Sequence, residues 1–434
     1  MALDNEMFKT CVFGNNHKES SKGDAGKMEK AIRWVCFIAS GLVVALFIVA
    51  VYLAALLPDT FFVREGESIR VAGMPFVQGT PAGPKDAVAG LSGGASYNAE
   101  LTLGGFIPVK TVRAKIVKPR VVQVSGAPFG IKMFANGAMV VGFSDIYTNS
   151  GYQNPAKQAG LQMGDIIVSI AGQDTKSNED VAKAIQSLKG SPAEVVFLRE
   201  GAQRRVMLSA VEDQSTKSFR TGMWVRDSSA GIGTLTFTQA MNQTFAGLGH
   251  SIHDIDTGKT LSLLKGEIVP VEITGYKKGE SGAPGELKGE FLAAVPTGDI
   301  TINGDSGVYG VLTKNIAGQS AEVALSQEIT IGKAQILTTI EGRQPQKYDV
   351  MIEKIALNSE HPNRNMVIRI TDQDLLKKTG GIIQGMSGSP ILQNGKFVGA
   401  ITHVLVNDPT RGYAIFAENM LETADRAAQI DQAS

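Results

Sequence analysis

Cysteine is almost missing from this chain: among 434 residues there are two, Cys11 and Cys36, both close to the N-terminus. Everything after Cys36 therefore lacks the means for a disulfide framework, a thiolate metal site or a cysteine nucleophile. Net charge is missing too, with 42 basic residues against 42 acidic ones. No basic patch of the kind that neutralises phosphates stands out, so nucleic acid is not an expected partner. Histidine is scarce, at five residues, and no His-x-x-x-His pair occurs, so neither a metal nor a cofactor is expected. Aromatics make up 6% of the chain while glycine contributes 49 residues, a balance that suits a loop-rich β protein better than a helical bundle.

Long apolar runs are also scarce, with one exception. Trp34 to Leu57 reads WVCFIASGLVVALFIVAVYLAALL, uncharged and long enough to cross a bilayer as a helix. It exceeds the apolar core of a cleaved signal peptide and suits an uncleaved anchor. Lys27, Lys30 and Arg33 precede it and Asp59 follows, so the positive-inside rule places residues 1–33 in the cytoplasm and residues 58–434 outside.

Beyond the anchor, residues 58–100 read as an extracytoplasmic linker, most clearly at Gly79 to Gly94, which is rich in Gly, Pro, Ala and Ser. Alternation returns in FIPVKTVRAKIV, suggesting strands. Residues 154–173, NPAKQAGLQMGDIIVSIAGQ, combine a short helical turn ended by Gly160 with a Gly164-Asp165 turn into a strand. Asn178 then caps a helix with Val181, Ala182, Ile185 and Leu188 at helical spacing, ended by Gly190. This stretch resembles a PDZ domain, assigned with its preceding strands to residues 101–215. In the resemblance, Phe129-Gly130-Ile131-Lys132 takes the place of the carboxylate-binding loop. That implies a peptide ligand added as a strand against Gly130, Ile131 and Lys132.

From Gly222 to about Ala417 many short β runs are separated by Gly, Asn and Asp, which argues for a sandwich or barrel within residues 216–434. Here lies the most specific feature of the chain: Gly385-Met386-Ser387-Gly388-Ser389-Pro390, followed by an apolar run broken at Asn394-Gly395, a two-residue hairpin signal. The layout is that of a nucleophilic serine in a trypsin-like hydrolase. A serine hydroxyl needs a base and an oxyanion site. Glycines at 385 and 388 let the chain turn so that the amides of Gly385 and Ser387 point at one spot. A thioether at 386, where trypsin-like enzymes often carry Asp, has no explanation at this level.

In hydrolases of two β barrels the base precedes the serine by most of a barrel. His17 is on the wrong side of the membrane, which leaves His250, in Gly247-Leu248-Gly249-His250, and His253. His250 sits on a glycine turn able to project an imidazole. Gly279-Glu280-Ser281-Gly282-Ala283-Pro284 has the form of a second nucleophile loop, but a polar sequence follows it and His250 is too close upstream, so Ser281 reads as a turn residue. For the acid that orients the imidazole, Asp372 ends an alternating strand, with Asp374, Asp349 and Asp305 as competitors. His403, on the second strand of the final hairpin, either lines the first specificity pocket or packs the barrel.

The order of anchor, PDZ, GIGTLTF, GLGHSIHDIDTG and GGIIQGMSGSPILQNGKFVGAITHVLVNDPTRGYAI resembles the stage IV sporulation protein B serine peptidases of endospore-forming bacteria. The resemblance implies a mostly β chain, with an N-terminal transmembrane helix, a PDZ domain and a trypsin-like double β barrel. It places the triad on His250, Asp372 and Ser387. It further implies action in the space between mother cell and forespore membranes. There, cleavage of a membrane-bound regulator leads to activation of a late sigma factor, and self-cleavage falls in the N-terminal region, for which the linker is a suitable place. The competing reading is a PDZ adaptor with a catalytically silent barrel.

Overall fold

The apolar run is helical because nothing in it breaks a helix, and in the computed structural model it forms α1, Lys22–Leu56. Its stretch Ile32–Leu56 is long and apolar enough to cross a membrane, and Trp34, Phe37, Phe47 and Tyr52 point outward. The structure describes residues 22–82, 94–254, 257–258, 265–292 and 295–433. Residues 1–21 of the expected tail and 83–93 of the expected linker lie outside it.

The rest of that linker is folded. Thr60–Arg64 (β1), Val77–Pro81 (β2), Ser96–Leu103 (β3) and Ile107–Val117 (β4) make a sheet in the order β1-β4-β3-β2. Alternate residues Phe61 and Val63 of β1 join Val77, Leu101 and Val112 in its core. The Gly-rich composition misled because Gly79 is a packing glycine: a Cβ there would stand 2.7 Å from the Ile69 side chain. Arg64 fastens this sheet to the rest of the protein through ion pairs with Glu328 and, at 2.9 Å, Glu322.

After Val121–Val124 (β5), Pro128–Phe143 (β6) is a single long strand. Its second half opens the PDZ-like unit, which continues through Ile146–Thr148 (β7), Gly151–Gln153 (β8), the short helix Pro155–Gln158 (α2), Ile166–Ile170 (β9) and Gln173–Asp174 (β10). Helix Asn178–Leu188 (α3) follows, then Ala193–Arg199 (β11), Ala202–Leu208 (β12), Val211–Asp213 (β13) and Ser218–Arg220 (β14). Val140, Ile167, Val181, Ile185, Val195 and Phe197 form its core. The cap of α3 is Ser177 rather than the expected Asn178, in a capping box with Asp180.

The chain leaves this unit along Met223–Gln239 (β15), antiparallel to the whole of β6. Thr244–Gly247 (β16), Lys265–Lys277 (β17), Glu286–Phe291 (β18), Gly298–Gly304 (β19) and Gly307–Leu312 (β20) follow. The first half of β6 pairs with β17 as well as β15, and β17 with β19, β19 with β20, β20 with β16 and β16 with β15. Those pairings close a barrel of six antiparallel strands. After Gln319–Glu322 (β21), a second barrel closes from Gly332–Thr338 (β22), Gln346–Ile355 (β23), Met366–Ile370 (β24), Pro390–Gln393 (β25), Lys396–Leu405 (β26) and Asp408–Phe416 (β27). Counted in chain order, the strands of each ring run first, second, third, sixth, fifth, fourth, so the two barrels share one topology.

Helix Gln373–Thr379 (α4) interrupts the second barrel, and Ala417–Ala433 (α5) ends the chain. Met420, Leu421 and Ala424 of α5 pack with Phe237, Tyr309 and Phe397.

Strand pairing crosses the division expected at residues 215/216, since residues 128–134 pair with both 228–234 and 265–270. The PDZ-like unit is inserted between the first two strands of the first barrel rather than preceding it. Phe129-Gly130-Ile131-Lys132 accordingly form no carboxylate-binding loop. Gly130 pairs with Ile232 on one side and Val269 on the other, so the backbone groups a peptide carboxylate would need are spent on the barrel ladder. Ile131 is buried in the barrel core, and Lys132 pairs with Ala230 and Glu267, its ammonium 5.6 Å from the centre of the Phe291 ring. The α3 face is engaged by the chain itself. Gln186 donates to the Phe219 carbonyl at 2.8 Å and accepts from its amide at 3.3 Å, while the Asn178 amide donates to Asp227.

Candidate active site

Ser387 comes to the cleft between the barrels because α4 and the turn after it deliver the chain there. Gly388 makes the turn possible: its φ is +92°, and a Cβ would lie 2.1 Å from the Thr234 carbonyl and 2.5 Å from the Leu248 amide. The first barrel holds this loop directly. The Thr234 hydroxyl donates to the Gly385 carbonyl (2.8 Å), its amide to the Ser387 carbonyl (3.1 Å), and the buried Thr236 hydroxyl to the Gly388 carbonyl (2.7 Å). Among the described residues the amides of Gly385 and Ser387 have no hydrogen-bond acceptor. Met386 is fully buried among Ile336, Ile383, Ile391 and their neighbours in the second barrel. An aspartate there would be an unpaired charge in an apolar core, which accounts for the thioether.

His250 follows the close approach of Gly249, whose added Cβ would meet the Thr402 side chain at 2.8 Å. Ser387 and His250 line the same cleft of about 830 Å³, together with Ser228 to Ile232 of β15 and Thr402 to Val404 of β26. The Nδ1–H of His250 donates to the Ser251 carbonyl at 2.9 Å. That bond sets the tautomer: Nε2 carries the lone pair, as a general base requires. Burial holds His250 below the usual imidazole range, nearby His253 adds to the effect, and the Ser251 bond opposes it. The imidazole is thus neutral at pH 7. Ser387 does not donate to it in this arrangement; its hydroxyl donates to the Thr402 carbonyl at 2.8 Å. Thr402 in turn donates through Oγ1 to the Asn363 carbonyl at 2.9 Å.

His403 lies beside the proposed base, with ring centres 4.9 Å apart and planes tilted by 37°. Its Nδ1 is buried and has no hydrogen-bond partner among the described residues. Burial first, then His250, Arg364 and His253, push its pKa down to about 4. His403 therefore packs on the imidazole at neutral pH. His253 donates to the Ser251 carbonyl at 3.2 Å, and Asp254 is buried against Arg226 at 3.4 Å.

Asp372 is placed elsewhere. It caps α4, one carboxylate oxygen accepting the amides of Asp374 and Leu375 at 3.0 Å each and the other the Asp349 amide at 3.4 Å. It is not among the cleft-lining residues. The strand-end position that suggested an acid at the site is also the position of a helix cap, which spacing cannot separate. Of the competitors, Asp305 stands on the β19–β20 turn, exposed, next to Asn303, whose side chain accepts the Ile252 amide at 2.8 Å and donates to its carbonyl at 3.1 Å. Thr234, Thr236 and Thr402 escaped the sequence reading. Their signal is a hydroxyl at a buried position of an otherwise apolar strand, visible for Thr234 and Thr236 in GIGTLTF and for Thr402 in FVGAITH.

Ser281 does not line the cleft with His250, and its exposed hydroxyl donates to the Asn407 carbonyl at 2.8 Å.

Residues 217–421 match the SpoIVB peptidase S55 family, and residues 152–199 match the PDZ domain family. No curated protein matches. Twenty-five chains of solved structures do. One is the crystal structure of the PDZ domain of the SdrC-like protein from Listeria monocytogenes, 18% identical, covering 21% of this chain and 87% of that one with a TM-score of 0.17. The two family matches are those of the family that the motifs resemble, and they support a SpoIVB-like serine peptidase carrying a PDZ domain.

Proposed function

From a chain whose residues match the SpoIVB peptidase S55 and PDZ families, we propose a membrane-anchored serine endopeptidase with Ser387 as nucleophile and His250 as base. The observation that carries this reading is the meeting of Ser387 and a neutral, Nε2-accepting His250 in one cleft between two barrels of equal topology. In the proposed reaction the Ser387 hydroxyl leaves the Thr402 carbonyl and passes its proton to Nε2 of His250. The hydroxyl oxygen then attacks the scissile carbonyl, whose oxyanion is received by the Gly385 and Ser387 amides. His250 returns the proton to the leaving amine, and water resolves the acyl-enzyme. The Ser251 carbonyl supports the imidazole tautomer that a carboxylate supports elsewhere. Asp372 acts by fixing α4, which leads into the nucleophile loop.

The substrate follows from the anchor and the family resemblance: a membrane-bound regulator of endospore formation, cleaved in the space between forespore and mother cell so that a late sigma factor becomes active. Self-cleavage belongs to the same reading. With its α3 face occupied by the chain's own strand, the PDZ unit positions the cleft through β6 and β15, and any protein partner meets it elsewhere than at Gly130 to Lys132.

The adaptor reading draws its support from the Ser387–Thr402 bond, which leaves the nucleophile unpaired with its base. One experiment separates the two: full-length protein in detergent is assayed for self-processing, as wild type, Ser387→Ala and His250→Ala. A peptidase shows processing in the wild type and loss by at least 1,000-fold in both variants, consistent with removal of a nucleophile or base. Equal fragments from all three would leave the adaptor.

A further inference from the structure

The turn Gly279–Pro284 imitates the nucleophile loop in sequence and does no chemistry, yet it crosses from the first barrel to the second at the mouth of the cleft. It leaves β17 and ties down two separate segments of the second barrel. On one side the Gly279 amide donates to the Thr379 carbonyl at 2.9 Å, the Gln384 amide to the Gly285 carbonyl at 2.9 Å and the Leu287 amide to the Gln384 carbonyl at 2.8 Å. On the other, the Gly282 amide donates to the Val406 carbonyl at 2.9 Å and the Ser281 hydroxyl to the Asn407 carbonyl at 2.8 Å. The fit is close: a Cβ on Gly285 would stand 2.2 Å from the Lys277 carbonyl and 2.7 Å from the Ile383 side chain.

The segments it joins are the two that converge on the nucleophile. Ile382 and Ile383 precede Ser387 in the chain, while Val404 and Val406 continue the strand whose Thr402 carbonyl holds the Ser387 hydroxyl. Pro284 of the bridging turn lines the cleft with all four. A substrate side chain directed between these segments faces Pro284, Val404 and Val406, backed by the buried Ile382 and Ile383. Gln384 and the ring of His403 are the polar groups of the same segments, with no carboxylate or basic chain among them. A Lys, Arg, Asp or Glu side chain placed there would give up hydration with no opposite charge to meet it.

We propose that Gly279–Pro284 is a specificity element that closes the subsite for the residue on the N-terminal side of the scissile bond and restricts it to uncharged, apolar side chains. The proposal rests on Ser387 being the nucleophile. It is tested with full-length protein in detergent and a peptide mixture randomised at one position, with cleavage sites read by mass spectrometry as the ratio of cuts after Lys or Arg to cuts after Val, Leu or Ile. Val406 is 49% exposed, so Val406→Asp places a carboxylate at the pocket edge without burying it in the core. Val406→Asp is expected to raise that ratio at least tenfold. Ser281→Ala, which frees the turn from Asn407, is expected to admit larger side chains such as Phe and Trp. An unmoved ratio in Val406→Asp together with an unmoved size limit in Ser281→Ala overturns the specificity role. If Ser387→Ala cuts the mixture like the wild type, the nucleophile reading is overturned and the subsite with it.

Discussion

Residues in the cleft are arranged so that two imidazoles pack on each other, ring centres 4.9 Å apart. His403, with its pKa near 4, binds its proton far less readily folded than unfolded, where the ordinary value is about 6.5. Between pH 6.5 and 4 the unfolded chain therefore holds more protons, so stability is complete above 6.5 and falls as pH drops through that window. His403→Phe, which keeps an aromatic ring against His250, should flatten the fall; melting temperatures of both proteins between pH 4 and 7.5 check it. Asp372 gives a second residue-scale prediction. Because Asn caps helices as well as Asp does, Asp372→Asn should keep both stability and activity, while Asp372→Ala should lose about 1 kcal/mol. A loss of kcat near 10,000-fold in Asp372→Asn would instead make it the orienting acid. Sequence made Ser387 and the shortage of histidines plain, because a glycine-flanked serine and an absence are both local facts. It could not show that Asp372 spends one oxygen on helix amides and the other on the Asp349 amide, since that depends on where α4 begins.

Elements carry the coupling between the PDZ-like unit and the cleft. β6 and β15 each run unbroken from that unit into the first barrel, and residues 228–232 of β15 line the cleft. The same strand holds the nucleophile loop through Thr234 and Thr236. Thr236→Val, nearly the same shape, strands the Gly388 carbonyl and should cost about 1–3 kcal/mol in chemical denaturation. Thr234→Val, at a partly accessible bond, should lower kcat several-fold with a smaller loss of stability. Alternation and turn residues exposed most of these strands in the sequence. They could not reveal that FGIK belongs to a barrel rather than to a peptide-binding loop, because a strand and a loop of this composition differ only in their distant pairing partners. The insertion is likewise a matter of long-range pairing, between residues 128–134 and 228–234, with no local signal.

At the scale of the whole molecule, the four-stranded sheet of β1 to β4 stands between α1 and the two barrels. Lys110 caps the end of α1 through the carbonyls of Ala54 and Leu57, while Arg64, 12% exposed, reaches Glu322 and Glu328, which Lys396 of the second barrel also contacts at 3.4 Å. These contacts tie α1 through the small sheet to the second barrel. The measurement bearing most directly on the account is the position of a covalent label. Full-length protein treated with a fluorophosphonate, digested and mapped by mass spectrometry should carry the phosphonyl group on Ser387, with labelling abolished by His250→Ala. A label on Ser281, or none on Ser387 in a protein that still cleaves itself, would contradict it.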